Sequence, residues 1–137
     1  MRTLTTTQIG KYGEDAAAKY LKKKGYKILK RNYRAGRNEI DIIAENKEYK
    51  VFVEVKTRSE SLSANADFGI PSDAVDSGKQ RRTVAAAEAY LYKNEGDGEY
   101  SKMIRFDIIE VYLKRSAFTL TPLIQHIEHI EDAFYGN

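Results

Sequence analysis

Residues 38–58 read NEIDIIAENKEYKVFVEVKTR, two runs rich in β-branched and aromatic residues around a polar NKE. Alternation and composition predict a β-hairpin, with NEIDIIAE as one strand, YKVFVEVKTR as the next and the turn centred on Lys47 and Glu48. Side chains alternate across a strand, so Val51, Val53 and Val55 should line one face and Phe52, Glu54 and Lys56 the other. In the first strand Ile40 and Ile42 should share a face opposite Glu39, Asp41 and Ile43. With that turn, partner numbers sum to 95, which sets Asp41 against Glu54 and Glu39 against Lys56. Cross-strand partners have Cβ atoms ~5 Å apart, so two carboxylates would meet. A slip of one residue would separate them.

A lone E-x-K in a strand is most often a solvated face carrying an ordinary ion pair. The rest of the chain changes the weighing. Residues 6–25 form a predicted helix that starts at Thr6 or Thr7 and stops at Gly25, with Ile9, Ala16 and Tyr20 on its apolar stripe. Glu14 lies at the border of that stripe, within reach of the hairpin. Gly10 and Gly13 each weaken a helix by about 1 kcal/mol relative to Ala, and a close backbone approach to the sheet or to a ligand would account for them.

YKILKRNYR precedes the hairpin as a strand, and Ser59–Ser72 reads as a mobile loop. A second helix follows from a capping box at Ser77 and Gln80 to about Lys93. NEGDGEYS is a loop, MIRFDIIEVYL a long strand, and AFTLTPLIQ continues the sheet. Leu123, Ile127, Ile130 and Phe134 fit helical spacing and suggest a short last helix. The order gives an α/β sandwich around a mixed sheet, and 137 residues fit a single domain, 1–137.

Cysteine is absent, so any metal must be held by oxygen or imidazole, which favours hard cations such as Mg2+ or Mn2+. No apolar run is long enough to span a bilayer and the N-terminus lacks a secretory apolar region, so a cytoplasmic protein is expected. Residues 1–58 carry 15 Lys and Arg against 7 Asp and Glu, and this basic half holds the E-x-K. A surface of that sign attracts polyanions. Lys79, Arg81 and Arg82 crowd the start of the second helix, where the dipole disfavours cations unless an anion such as phosphate docks.

Converging carboxylates beside a lysine suit a divalent ion bridging a phosphodiester, with Lys56 orienting water and offsetting charge. His126 and His129 read as surface residues rather than ligands, and Tyr12, Tyr20, Tyr33 and Tyr90 as core. Asp107 is left open between facing the site and capping the sheet edge.

G-x-x-G-E-D-x-A-A-x-x-L-x-x-x-G-Y at Gly10–Tyr26, N-E-I-D-I-I at Asn38–Ile43, V-F-V-E-V-K-T-R at Val51–Arg58 and D-A-F at Asp132–Phe134 together resemble the bacterial YraN family over nearly the whole chain. That family is similar to the restriction-endonuclease-like PD-(D/E)XK nucleases and, among them, to archaeal Holliday-junction resolvases, which also place a Glu on the first helix. The resemblance implies a three-layer sandwich with an αβββαβ core and a metal-dependent nuclease acting on DNA, including branched, recombination or repair intermediates. It implies Asp41 as the first acid, Glu54 and Lys56 as the E-x-K, and Glu14 as the helix carboxylate. Glu14, Asp41 and Glu54 would ligate the metal, Glu39 and Gln80 would support them, and Lys79, Arg81, Arg82 and Arg58 would contact nucleic acid. A homodimer is compatible with it. Ile40 stands where the wider superfamily has proline, and Asn38 where YraN-like sequences have Gly. A non-catalytic nucleic-acid or protein-binding module on the same fold is the alternative. A third reading pairs Glu39 with Lys56 as a plain salt bridge and leaves Asp41 solvated.

Overall fold

A computed structural model describes residues 4–59, 77–95 and 101–134. The expected loop at Ser59–Ser72, the capping geometry ahead of Ser77 and most of NEGDGEYS fall outside the described residues. Seven elements follow in the order α1 (Thr6–Lys23), β1 (Lys27–Ala35), β2 (Asn38–Glu45), β3 (Tyr49–Ser59), α2 (Ser77–Glu95), β4 (Met103–Lys114) and β5 (Leu123–Phe134). The strands form one sheet in the order β1-β2-β3-β4-β5, with β3 and β4 parallel and every other neighbour antiparallel. The parallel pair needs a crossover, and α2 lies within it.

α1 starts where Thr5 caps it, its hydroxyl accepting from the Gln8 amide while the Gln8 side chain accepts from the Thr5 amide. It ends at Gly25, whose φ of 95° suits glycine, with the Gly25 amide bonded to the Lys22 carbonyl and the Tyr26 amide to the Leu21 carbonyl. The β2–β3 turn is held by Asn46, whose side chain accepts from the Glu48 and Tyr49 amides.

Each face of the sheet carries its own core. Ile9, Ala17 and Leu21 of α1 pack on Ile42, Ala44, Val51, Val53, Val55, Ile109 and Val111. Ala86, Ala87, Tyr90 and Leu91 of α2 pack on Ile40, Ile43, Phe52, Phe106 and Ile108. This is the expected three-layer α/β sandwich, with the sheet between α1 and α2. Tyr90 is buried, and Tyr12, Tyr20 and Tyr33 pack partly buried against the two cores, as expected of core tyrosines.

Two expectations fail. The C-terminal segment is a strand and not a helix: β5 pairs antiparallel with β4 from Lys114↔Leu123 to Phe106↔Phe134. Its helical spacing is accidental, because β5 is an edge strand interrupted by two register shifts and most of its side chains meet solvent. The strand expected over AFTLTPLIQ begins only at Leu123. Second, Ile40 and Ile42 do not share a face, since Ile42 joins the α1 core and Ile40 the α2 core. The inversion falls at Asp41, and opposite it on β1 stands Asn32 with φ 51°. A left-handed residue in one strand turns the following side chains over, and Asn tolerates that conformation better than most residues.

The two glycines of α1 also separate. A Cβ on Gly13 would lie 1.8 Å from Thr57 Oγ1 and 2.8 Å from Thr57 Cβ, so bare backbone is needed where α1 crosses β3. A Cβ on Gly10 would meet nothing within 4 Å. Gly13→Ala is therefore expected to destabilise the fold by about 1–3 kcal/mol through overpacking, with partial recovery in the Gly13→Ala/Thr57→Ala double variant. Thermal melts of the four proteins test this, and an unchanged Gly13→Ala melt would contradict the tight α1–β3 contact.

Candidate functional site

The hairpin register is the expected one: Ile42↔Val53, Ile43↔Phe52, Ala44↔Val51 and Glu45↔Lys50. The ladder stops at Ile42↔Val53, although β2 goes on pairing with β1 to Asn38 and β3 with β4 to Ser59. β2 and β3 therefore diverge just where Asp41 and Glu54 stand opposite each other. Divergence removes a backbone acceptor from β3, and a side chain replaces it. Asp41 Oδ2 accepts from the Val55 amide at 2.8 Å.

This places three carboxylates around the opening between the strands. Glu54 faces the α2 side and is nearly fully buried, with its Oε1 2.8 Å from Lys79 Nζ at the start of α2. Glu14 approaches from α1, half-buried, with Arg31 Nη2 3.8 Å away. Asp41 lies between the layers. Burial first, then the Glu54 charge and to a lesser degree Glu14 push its pKa from the ordinary 3.8 to about 7, against the Val55 hydrogen bond and Lys79. Glu14 is also raised, by burial above all, with Glu39 and Asp15 adding to it while Arg31 and Asn32 oppose. Lys79 is raised despite its burial, because Glu54 and Asp41 favour its charged form.

Several sequence expectations shift. Lys79 reaches the carboxylates through its ion pair with Glu54, and Arg81 and Arg82 beside it are exposed. Lys56 shares the α2-side face of β3 with Glu54 but makes no ion pair with it. Glu39 does not pair with Lys56, its expected partner, because β2 has left β3 by then; it binds Arg34 of β1 at 3.2 Å. Arg58 continues the same β3 face and lies near the buried Glu110, and Gln80 follows Lys79 on α2, partly buried. Asn38 in place of Gly opens β2, pairing with Ala35 after a turn that carries Gly36 at φ 63°.

Asp107 lies away from the site and bonds the edge strand β5, and His129 is not a surface residue. Asp107 is fully buried on the α1 side and accepts from Arg105 at 2.9 and 2.8 Å and from the Asp132 amide at 2.9 Å, with His129 Nε2 2.7 Å away. His129 Nδ1 meets the Tyr20 hydroxyl at 3.1 Å and Arg105 reaches the Tyr26 hydroxyl. Burial raises the Asp107 carboxyl, but His129 and Arg105 overcome it and hold its pKa low. His126, by contrast, is exposed beside Glu128. Sequence reading missed Asn32, for which an Asn inside a strand pattern was the available signal, and it gave Lys79 a nucleic-acid contact without its bond to Glu54.

Carboxylate oxygens are the donors a hard divalent cation takes, and after burial the charges of Glu54 and Glu14 add to the rise in the Asp41 pKa, with Lys79 opposing them. Among the described residues no three acidic, histidine or cysteine groups stand close enough to form a ready-made cage. In the structure Lys79 supplies the positive charge at Glu54. Among the described residues no helix is long and apolar enough to cross a membrane.

Residues 13–111 match the family described as uncharacterised protein family UPF0102. A UPF0102 protein of Caldanaerobacter subterraneus subsp. tengcongensis is 43% identical over 98% of this chain and 100% of its own length. Relatives of the same description from Flavobacterium psychrophilum and Phocaeicola vulgatus are 46% and 44% identical, each over 93% of both chains.

The pKa of Asp41 sets a pH test. The folded state holds this proton more tightly than the unfolded one, so the stability it contributes is fully present below pH 3.8 and is lost as pH rises through about 7. Asp41→Asn, which does not titrate and keeps an acceptor for Val55, should gain on the wild type by up to ~4 kcal/mol between pH 4 and 8. Denaturation profiles of the two proteins that run parallel across this range would show that Asp41 ionises normally.

Proposed function

The chain belongs to the UPF0102 family, and from that premise and the geometry between β2 and β3 we propose that it is a divalent-metal-dependent nuclease hydrolysing phosphodiester bonds in DNA. The observation that carries this reading is the set Asp41, Glu54 and Glu14 at a point where the sheet opens, with the Asp41 carboxyl pushed up by burial and then by the charges of Glu54 and Glu14. Structural ion pairs hold carboxyls low, as at Asp107; a carboxyl pushed up to about 7 by burial first and then by the Glu54 and Glu14 charges is left unneutralised by the fold.

Asp41, Glu54 and Glu14 would hold Mg2+ or Mn2+. The ion would polarise the phosphoryl group and acidify a water molecule at this site. Glu54 is fixed by β3 and Lys79, and Asp41 by the Val55 amide, so two acids are oriented before any ligand arrives. Lys79 lies within reach of the charge that develops on a phosphate, the role expected of Lys56; Lys56 projects from the same face two residues further along β3. Arg81 and Arg82, exposed on the first turns of α2, supply a phosphate-contacting surface that orients the strand without reading its sequence. The non-catalytic alternative draws on one observation, the lack of a ready-made cage among the described residues. It expects nucleic-acid binding without cleavage.

Labelled branched, flapped, single-stranded and duplex DNAs incubated with Mg2+ or Mn2+ test the reading. Cleavage by the wild type and its loss by at least ~100-fold in Glu54→Ala are expected, in line with removal of one major electrostatic group. DNA binding with no cleavage of any substrate would leave only the binding module. In the Arg81→Ala/Arg82→Ala variant affinity should fall and its dependence on salt should flatten by about two counterions; an unchanged slope would make these residues a plain solvated face.

A further inference from the structure

Beside the carboxylates lies a cleft of about 520 Å³ lined by Thr7, Gly10, Lys11, Glu14, Arg31 and Asn32. The four α1 residues follow the spacing i, i+3, i+4, i+7 and so form one face of the helix, turned toward β1. The volume falls within the range of small-ligand sites. Glu14 belongs to both the cleft and the carboxylate set, and Asn32 stands opposite Asp41 in the β1–β2 register. The cleft therefore opens directly onto the proposed reaction centre.

Gly10 is the informative residue. It weakens α1 relative to Ala, yet nothing packs where its Cβ would be, so the close contact that explains Gly13 does not explain it. Any larger side chain would project into the cleft. The remaining lining is polar: beside the Glu14 carboxylate stand a hydroxyl, an amide, an ammonium and a guanidinium. Asp15, outside the cleft, holds both cations, 2.8 Å from Arg31 Nη2 and 3.5 Å from Lys11 Nζ, and Glu14 within the cleft lies 3.8 Å from Arg31 Nη2. Asn32 holds a left-handed backbone, φ 51°, of the kind concentrated at ligand sites.

We propose that this cleft is a nucleotide subsite, receiving the unpaired nucleotide next to the scissile phosphate, with Lys11 and Arg31 on its phosphate and Asn32 and Thr7 on its sugar or base edge. The proposal rests on the nuclease reading above. A recess of this volume has room for one nucleotide, a single or frayed strand presents a nucleotide free to enter it, and Gly10 keeps the recess open.

The test is fluorescence anisotropy of a labelled single-stranded DNA oligonucleotide and of its blunt duplex, with Ca2+ present, on the wild type, Gly10→Ala and Gly10→Leu. The wild type should bind the single strand more tightly than the duplex. Gly10→Leu should lose at least ~10-fold in single-strand affinity while its Tm rises, because a helix glycine has been replaced by a better helix former. Gly10→Ala should show the same rise in Tm with less than ~3-fold loss. Mn2+ affinity should be unchanged in both, which separates blocking of the cleft from damage to the carboxylates. Equal single-strand affinity in wild type and Gly10→Leu, or a parallel loss of Mn2+ affinity, would overturn the subsite and leave the nuclease reading intact. No binding of either DNA by the wild type would remove both.

Discussion

The parting of β2 from β3 after Ile42↔Val53 is the constraint on which the rest depends. Each strand keeps its other neighbour, so the sheet stays continuous at its flanks and opens only in the middle. An opened ladder leaves backbone groups without partners, and burial makes that costly. Asp41 answers it with a carboxylate on the Val55 amide, which fixes an acid in the opening. Glu54 of β3, on the α2 side, and Glu14 of α1 adjoin it, and a carboxyl that began as a structural substitute acquires a perturbed proton.

The molecule contains a second buried acid that makes the contrast instructive. Asp107 is less exposed to solvent than Asp41, yet Arg105, His129 and the Asp132 amide hold its pKa low. That network ties the edge strand β5 to β4, and through Tyr20 and Tyr26 to α1 and its end. Removing one member would leave the others buried and uncompensated, a large effect on stability but not a chemical site. Burial alone therefore does not mark function here. What distinguishes Asp41 is that its nearest strong influence besides burial is another acid.

The hairpin and its register were legible in the sequence because NKE fixed the turn and valine alternation fixed the faces of β3. α1 was legible to its ends, since Gly25 stops it and Thr5 with Gln8 caps it. β5 was not, because an edge strand with little buried surface leaves its apolar spacing weakly constrained, and Leu123, Ile127, Ile130 and Phe134 imitated a helix. The face inversion at Asp41 was hidden for another reason. It depends on the backbone of Asn32, a residue on a different strand, and no periodicity within β2 reports it. The ion pair of Lys79 with Glu54 was not legible either, because only the folded crossover brings the start of α2 against β3.

The central claim is that the acids at the β2–β3 opening form a cation site. Calorimetric titration of Mn2+ into the wild-type protein at pH 7, repeated in buffers of different ionisation enthalpy, tests it most directly. The account expects one ion per chain, with protons released on binding because Asp41, with its pKa raised to about 7, is part-protonated beforehand. In Glu14→Gln the affinity should fall at least ~10-fold, since a neutral oxygen replaces a charged one. Absence of saturable binding, or binding with no proton release, would contradict it.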